Sequence, residues 1–305
     1  MTGSLLPTPL RGIVPPMITP LEDYDTLDVE GLQRLVEHLI QGGVHGLFIL
    51  GTSGEAPGLS YRLRREVIER VCRQTAGRLP VLVGVSDTSL AETLALARCA
   101  AEAGATAAVL APPYYFPLNQ LELAHYVRKL VAELPLPLVL YNMPAMTKVT
   151  FEPETVRQLL DEPRIVGLKD SSRQLDYFLT IREITRQRTD CSLLVGFEHL
   201  LVETVQAGGD GGVCAGANLS PHLLVSLYEA AAAGDQQTIA QIENALTIQR
   251  QIYTIGNGST PSLQGIKCAL ALRGICQDHM AEPYHRLSTE HRDQIGTILR
   301  ELDEQ

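Results

Sequence analysis

The sequence predicts an α/β protein, a (β/α)8 TIM barrel with extra C-terminal helices. Eight short apolar runs recur along its 305 residues, and amphipathic stretches with helical spacing separate them. The runs are apolar throughout, as parallel strands buried on both faces require. Eight such units in a row favour a closed barrel, because a doubly wound open sheet more often stops at roughly five or six strands.

The predicted elements alternate regularly along the chain. Strands are predicted at 12–18, 46–50, 80–85, 107–111, 137–141, 165–169, 192–196 and 212–215. Helices are predicted between them, and the first carries its apolar residues at Leu32, Leu35, Val36, Leu39 and Ile40. Glycines at 42–43, 77, 104 and 208–209 mark predicted helix ends, because glycine readily adopts the left-handed conformation found there.

Four more helical stretches follow the eighth strand, near 221–233, 235–254, 262–273 and 288–302. One of them closes the barrel, and the others exceed what the barrel needs. We therefore assign 1–220 to the strands and helices of the barrel. The closing helix and a C-terminal helical extension occupy 221–305 within the same structural domain. The helices of the extension pack on the barrel or on a partner subunit.

Charge and cysteine content narrow the class of function. The formal net charge is −10 with no basic cluster, which argues against nucleic acid or an anionic membrane surface as a partner. The six cysteines form no CxxC pair, so we expect buried free thiols in a reducing cytoplasm. The first residues lack a signal-peptide pattern, and no apolar run is long enough to span a bilayer.

The residues that follow the predicted strands are polar. They read GTSGE at 51–55, PPYY at 112–115, YNMP at 141–144, KDSS at 169–172, GFE at 196–198 and GAN at 216–218. In barrels of this kind the catalytic groups come from the carboxyl ends of the strands. These ends carry no histidine cluster, and the eight histidines show no metal-ligand spacing, so neither a metal nor a cofactor is predicted.

The chain contains so few lysines that the role of each can be considered. Lys129 lies on a predicted helix and Lys148 in a loop, and both are expected in solvent. Lys267 falls in the helical pattern GIKCALAL, where we expect a surface lysine whose methylene chain covers apolar neighbours. Lys169 differs, because it ends the sixth strand and points into the barrel mouth from an apolar wall.

Lys169 is the candidate nucleophile. Burial favours a neutral amine, and a neutral amine attacks carbonyl carbon to form a Schiff base. The alternative is a structural lysine paired with Asp170 or Glu198. Tyr141 closes the preceding strand, where its phenol can transfer protons or simply pack.

A glycine-flanked turn follows the second predicted strand. The N–H groups and hydroxyls of Thr52 and Ser53 suit a carboxylate. A plain turn with a helix cap is the alternative.

The motifs resemble those of the family of dihydrodipicolinate synthase and N-acetylneuraminate lyase, from about Gly12 to the C-terminal helices. The resemblance is carried by Gly-Thr-Ser-Gly-Glu at 51–55, Pro-Tyr-Tyr at 113–115, Tyr-Asn-Met-Pro at 141–144 and Gly-Leu-Lys-Asp-Ser-Ser at 167–172, in that order. It implies a class I aldolase or lyase that needs no metal, in which Lys169 forms an imine with pyruvate or another 2-oxo acid.

The resemblance also assigns roles to other residues. Tyr141 resembles the proton-relay tyrosine, and Thr52 and Ser53, with Gly51, resemble the carboxylate-binding turn. Tyr115 resembles a tyrosine that reaches into the neighbouring subunit's site and completes a relay with Thr52 and Tyr141. This implies a homotetramer built as a dimer of dimers.

Two positions depart from the family pattern. Met146 stands where the synthases carry an arginine that binds the carboxylate of aspartate semialdehyde, and a thioether cannot form that bidentate pair. Lys148 either compensates for this loss or is a solvated loop charge. The sialic-acid lyases show Asp-Glu after the seventh strand, whereas this chain reads GFEH at 196–199.

These departures favour an aldehyde partner rich in hydroxyl groups. Candidate residues for binding it are Glu198, Ser171, Ser172, Asn218 and Ala215. The predicted substrate is then a 2-keto-3-deoxy sugar acid or 4-hydroxy-2-oxoglutarate.

Three alternatives stay open. One is a dihydrodipicolinate synthase that condenses pyruvate with aspartate semialdehyde. A second is a decarboxylating or dehydrating relative that acts on a keto-deoxy sugar acid. The third is a non-catalytic 2-oxo-acid sensor, against which the joint presence of Tyr115, Tyr141 and Thr52 argues.

Overall fold

The structure, a computed structural model, describes residues 8–256 and 258–304. Its strands are β1 Gly12–Ile13, β2 Leu47–Ile49, β3 Val81–Gly84, β4 Ala107–Leu110, β5 Leu138–Asn142, β6 Ile165–Asp170, β7 Ser192–Val195 and β8 Gly211–Gly212. All the ladders are parallel, in the order β1-β8-β7-β6-β5-β4-β3-β2. The predicted (β/α)8 barrel is confirmed.

The barrel closes between β1 and β2 through a single bridge rather than a ladder. Pro16 pairs with Phe48, the Met17 N–H donates to the Phe48 carbonyl at 2.8 Å, and the Phe48 N–H donates to Pro15 at 3.0 Å. The first strand was expected to reach residue 18 but ends at Ile13. The two prolines explain this, because proline has no N–H to give to a ladder.

The last strand is also shorter than its apolar run. It was expected at 212–215 and occupies Gly211–Gly212. The Val213 N–H still donates to Val195 at 2.7 Å, but the chain then turns into a 3-10 helix at Ala215–Asn218. This turn brings the residues after β8 across the carboxyl end of the barrel.

Within the described residues the chain forms twelve α-helices. They are α1 Val29–Gln41, α2 Tyr61–Thr75, α3 Leu90–Glu102, α4 Gln120–Glu133, α5 Pro144–Thr147, α6 Pro153–Leu159, α7 Leu175–Thr185, α8 Leu201–Gln206, α9 Pro221–Ala233, α10 Gln236–Gln251, α11 Pro261–Leu272 and α12 Thr289–Asp303. In this part of the chain, no helix combines the length and the apolar character that crossing a membrane requires.

Local sequence explains where the helices begin and end. The Asp28 carboxylate accepts the Gly31 N–H at the start of α1, and Asn119 with Glu122 forms a capping box at the start of α4. Glycines with positive φ follow the helices at the predicted places, as at Gly43 and Gly104. Helices α9 to α12 lie within a few residues of the four predicted C-terminal stretches, and α12 packs on α10 and α11.

The apolar core has two layers. Side chains from the strands and from residues close to the strand ends fill the barrel interior: Leu10, Val14, Phe48, Leu82, Ala107, Val109, Ala111, Val139, Tyr141, Val166, Leu194 and Val213. A larger cluster joins the outer faces of the strands to the helices. Tyr141 belongs to the inner layer, so its polar end lies at the carboxyl end of a filled barrel rather than in a pore.

Candidate active site

Lys169 lies inside the barrel near the carboxyl end of β6. Its side chain is buried, and its Nζ lies 3.9 Å from the ring centroid of Tyr141 and 4.9 Å from that of Phe48. No carboxylate of the described residues forms an ion pair with this amine; Asp170 and Glu198 are bound elsewhere. The arrangement therefore differs from the structural ion pair that the sequence left open.

Tyr141 is held beside Lys169 by strand register, because the two residues face each other across β5 and β6. Its hydroxyl lies 3.2 Å from the Thr52 Oγ1. Burial raises the pKa of Tyr141, but the charge of Lys169 and hydrogen bonds from Thr52, Lys169 and Ser171 outweigh it, so the pKa lies below its ordinary value. The phenol thus has a proton donor or acceptor on more than one side.

Ser171 completes this group after the end of β6. Its side chain is buried, and a Cβ at position 196 would stand 1.9 Å from its Oγ. Gly196 therefore lets the end of β7 approach the serine. Lys169, Tyr141, Thr52 and Ser171 are the predicted site residues that the structure brings together.

The turn at 51–55 lies over the end of β2. Thr52 is exposed, and neither its backbone N–H nor that of Ser53 has an acceptor among the described residues. Gly51 is buried on Phe48, whose ring would lie 2.6 Å from a Cβ at position 51. Successive unpaired N–H groups beside a hydroxyl form a concavity suited to an anion.

The acid beside the lysine points away from it. Asp170 accepts hydrogen bonds from Asn142 at 2.9 Å and from the Ser172 N–H and hydroxyl at 3.0 and 2.9 Å. Burial raises its pKa, and these hydrogen bonds oppose the shift. Asp170 therefore orders the chain after β6, and sets the position of Ser172.

Glu198 faces the C-terminal helices. Arg250 Nε lies 3.4 Å from its Oε1, and the Tyr253 hydroxyl lies 3.3 Å from its Oε2. Burial raises the pKa of Glu198, and Arg250 and Tyr253 only partly oppose that shift. The Glu198 side chain thus holds the loop after β7 against α10, and its predicted role in binding substrate stays a prediction.

Asn218 is fully buried, and its amide serves the backbone. Its Oδ1 accepts the Ile18 N–H at 3.1 Å, and its Nδ2 donates to Pro16 at 3.0 Å and to Ala215 at 2.9 Å. With these three bonds Asn218 joins the loop after β8 to the segment after β1. Ala215 is partly exposed at the same edge of the barrel.

Tyr115 does not reach the site of its own chain. It is 75% exposed and packs edge to face on Phe116, which is equally exposed. Its predicted place in a neighbouring subunit's site stays a prediction.

Three further residues define the rim. Met146 is exposed on α5, and the Lys148 amine turns back to the Ala145 carbonyl at 2.8 Å. Arg173 follows β6 with a φ of 65°, and its guanidinium lies 4.5 Å from the Phe197 ring centroid. Among the described residues Arg173 has no acidic partner, and nothing in the sequence marked it as a site residue.

The prediction for Lys267 was wrong. This lysine is fully buried on α11 and forms an ion pair with Glu55, whereas a surface lysine was expected. Burial lowers the pKa of Lys267, and Glu55 opposes that shift. The uninterrupted apolar residues around it, Ile266 and Cys268 to Leu270, were the available signal, since a charge in such a run needs a buried partner.

The strand ends place this architecture among the α/β-barrel enzymes. The model of the Dihydrodipicolinate synthetase family matches residues 9–302, and the chain belongs to that family, whose members are class I lyases. A 4-hydroxy-tetrahydrodipicolinate synthase of Methanoculleus marisnigri is 32% identical, over 95% of this chain and 98% of the relative. A probable 2-dehydro-3-deoxy-D-pentonate aldolase of Escherichia coli is 33% identical, over 94% and 96%.

Solved structures that are similar to this chain are also members of this family. A dihydrodipicolinate synthase from Bacteroides thetaiotaomicron is 49% identical with a TM-score of 0.94, covering 96% of this chain and 99% of that one. A prophage protein of the family from E. coli, solved in complex with pyruvate, is 31% identical with a TM-score of 0.90, covering 96% and 98%. The family resemblance and the assignment as an enzyme are confirmed.

Proposed function

We propose that this lyase forms an imine between Lys169 and pyruvate or a related 2-oxo acid, and makes or breaks a carbon–carbon bond to an aldehyde. One observation carries the proposal: the Lys169 amine lies buried between two aromatic rings without a carboxylate partner among the described residues. Such an amine is available for attack on a carbonyl carbon.

The neighbours of Lys169 supply the remaining functions. The Thr52–Ser53 turn offers N–H groups to the 2-oxo acid's carboxylate. Tyr141, within reach of Thr52 and Ser171, moves the protons.

The steps balance without a cofactor. The amine adds to C2, the carbonyl oxygen receives two protons and leaves as water, and a protonated imine remains. The C4 hydroxyl then gives up its proton, the C3–C4 bond breaks, C4 leaves as the aldehyde, and the imine nitrogen accepts the electron pair of that bond. The resulting enamine takes a proton, and hydrolysis frees pyruvate and the amine. In the synthetic direction, the enamine attacks the aldehyde instead.

The rim supports the choice of aldehyde partner. Met146 offers no charge to a second carboxylate, and the Lys148 amine is bound to its own helix end. We therefore propose a 2-keto-3-deoxy sugar acid or 4-hydroxy-2-oxoglutarate as the substrate, and the relative named as a pentonate aldolase supports this class. Arg173, without an acidic partner among the described residues, favours 4-hydroxy-2-oxoglutarate, whose second carboxylate it can bind.

A second candidate is the condensation of pyruvate with aspartate semialdehyde. It is favoured by the 49% identity to a structure named dihydrodipicolinate synthase. A coupled reductase assay for the cyclic product separates this function from the proposed one.

We also propose that the protein works as a homotetramer in the cytoplasm. The paired, exposed rings of Tyr115 and Phe116 support a subunit interface at this edge of the barrel. Light scattering tests the assembly, and a monomer with full turnover would refute the role of Tyr115.

Borohydride trapping tests the imine directly. After incubation with pyruvate and borohydride, intact and peptide masses should show one adduct, mapped to Lys169. Lys169→Ala should lose it, whereas Lys148→Ala, which removes the other lysine near the rim, should keep it. A folded wild-type protein without an adduct would refute the proposal, and the adduct would justify screening glyoxylate and hydroxylated aldehydes.

A further inference from the structure

We infer that the buried ion pair between Glu55 and Lys267 positions the carboxylate-binding turn at 51–55, so that the C-terminal extension sets the site's affinity for 2-oxo acids. The inference rests on the proposed function of that turn. Glu55 and Lys267 are positioning residues, which act through Thr52 and Ser53 without touching the substrate.

The turn is strained at both ends. Leu50 has a φ of 56° and Glu55 a φ of 55°, although neither is glycine. The left-handed conformation costs free energy for residues with a Cβ, and it persists where the surroundings leave no other arrangement. Something must therefore hold each end of the turn in place.

One restraint lies beside the end of the turn. The Thr19 hydroxyl donates to the Gly54 carbonyl at 2.7 Å, and both residues are buried. This bond fixes the backbone next to Glu55 but leaves the Glu55 side chain to be held by other groups.

The second restraint is the ion pair itself. The Lys267 amine also donates to the His279 carbonyl at 2.6 Å, and the Glu55 Oε2 accepts the Ala281 N–H at 2.8 Å. Glu55 is 4% exposed and Lys267 is fully buried. Because neither charge can move away without leaving the other unpaired in the interior, the pair fixes Glu55 relative to α11 and the segment 279–281.

A second buried ion pair provides a matched comparison. Arg64 and Asp87 are each 5% exposed and lie 3.2 Å apart, joining α2 to the chain after β3. Arg64 also donates to Leu59, and Asp87 accepts from Tyr61. None of these contacts involves the turn, so a general loss of stability can be told from a loss of positioning.

The test compares two double variants that each remove both charges of one pair. Glu55→Gln/Lys267→Met should raise the pyruvate concentration for half-maximal adduct formation about tenfold, because small displacements of binding groups weaken a site strongly. The adduct level at saturating pyruvate should change little. Arg64→Met/Asp87→Asn should leave the half-maximal concentration unchanged.

Amide hydrogen exchange gives a readout that needs no substrate. The peptide covering 50–58 should exchange about tenfold faster in Glu55→Gln/Lys267→Met and not in the control pair. Glu55→Asp, which keeps the charge but withdraws it by one methylene, should show a smaller change in both measurements. It serves as the test if the double variant fails to fold.

Three results would overturn the inference: an unchanged half-maximal pyruvate concentration, unchanged exchange in the turn, or equal effects in both double variants. Absence of any adduct in the wild type would instead refute the proposed function. In that case the exchange data alone decide whether the ion pair orders the turn.

Discussion

Two lysines lie in the interior of this protein, and their surroundings differ in the group that faces the amine. Lys169 faces two aromatic rings, whereas Lys267 faces the carboxylate of Glu55 and a backbone carbonyl. An amine without a counter-ion is free to react. An amine in a buried ion pair cannot lose its charge without leaving a carboxylate unpaired, so it serves as an anchor. Burial alone therefore does not identify a nucleophilic lysine; the group that faces the amine does.

The largest effect is expected from Lys169→Met. Turnover should fall by about four orders of magnitude or more, as for other enzymes that lose their nucleophile. The melting temperature should stay the same or rise, because the lost amine had no carboxylate partner. Calorimetry beside an aldol assay measures both, and a large drop in melting temperature would contradict the contrast between the lysines.

A smaller loss of turnover is expected from Tyr141→Phe. The ring against the Lys169 amine stays and only the hydroxyl is removed, so turnover should fall by about 10²- to 10⁴-fold, the range of a lost proton-transfer group. Tyr126→Phe is the control, since that tyrosine is partly buried on α4, where the residue beside its hydroxyl is Thr93 rather than Lys169 or Thr52. Equal turnover in the two variants would exclude Tyr141 as the proton carrier.

Lys267→Met, unlike Lys169→Met, should mainly lower the stability of the fold. It leaves the Glu55 charge unpaired in the interior, so the free energy of unfolding should fall by about 3–5 kcal/mol. Lys129→Met, on the exposed face of α4, should change it by less than about 0.5 kcal/mol. Urea unfolding followed by circular dichroism measures the difference, and similar values for the two variants would show that the ion pair does not stabilise the fold.

The smallest effect concerns a thiol beside Lys267. Burial raises the pKa of Cys276 to about 12, so its alkylation should be slow at pH 8 and should quicken as pH rises toward that value. Glu55→Gln/Lys267→Met removes the Lys267 charge, which lowers the pKa of this thiol, but the opening of the segment should outweigh that loss and speed alkylation of Cys276 about tenfold. Cys191, with a pKa also raised to about 12, should not respond. Peptide masses over time measure both.

The fold was predictable because its signals are local. Apolar runs, helical spacing and glycine stops each arise from a few neighbouring residues, and they located every strand of the barrel. The errors were local as well: Pro15 and Pro16 shorten β1 because they cannot donate to a ladder. The cluster of Lys169, Tyr141 and Thr52 followed from the rule that strand ends meet at one edge of a barrel.

The buried polar contacts that hold loops in place could not be predicted, because the two residues of each contact are remote in sequence. Nothing near Lys267 indicates Glu55, and nothing near Glu198 indicates Arg250. For Asn218 likewise, nothing nearby in sequence indicates the backbone groups to which its side chain is bonded. Polar residues at strand ends were thus easy to find, but whether each faces the substrate or the scaffold depends on tertiary contacts.

The ion pair also fixes when the site can come into being during synthesis. Lys267 lies on α11, which the ribosome makes well after β8 completes the sheet. A nascent chain with all eight strands therefore carries Glu55 without its partner, and the Glu55 side chain at the end of the turn is not yet held. Chains that end before α11 are thus expected to bind 2-oxo acids more weakly than the chain that carries Lys267.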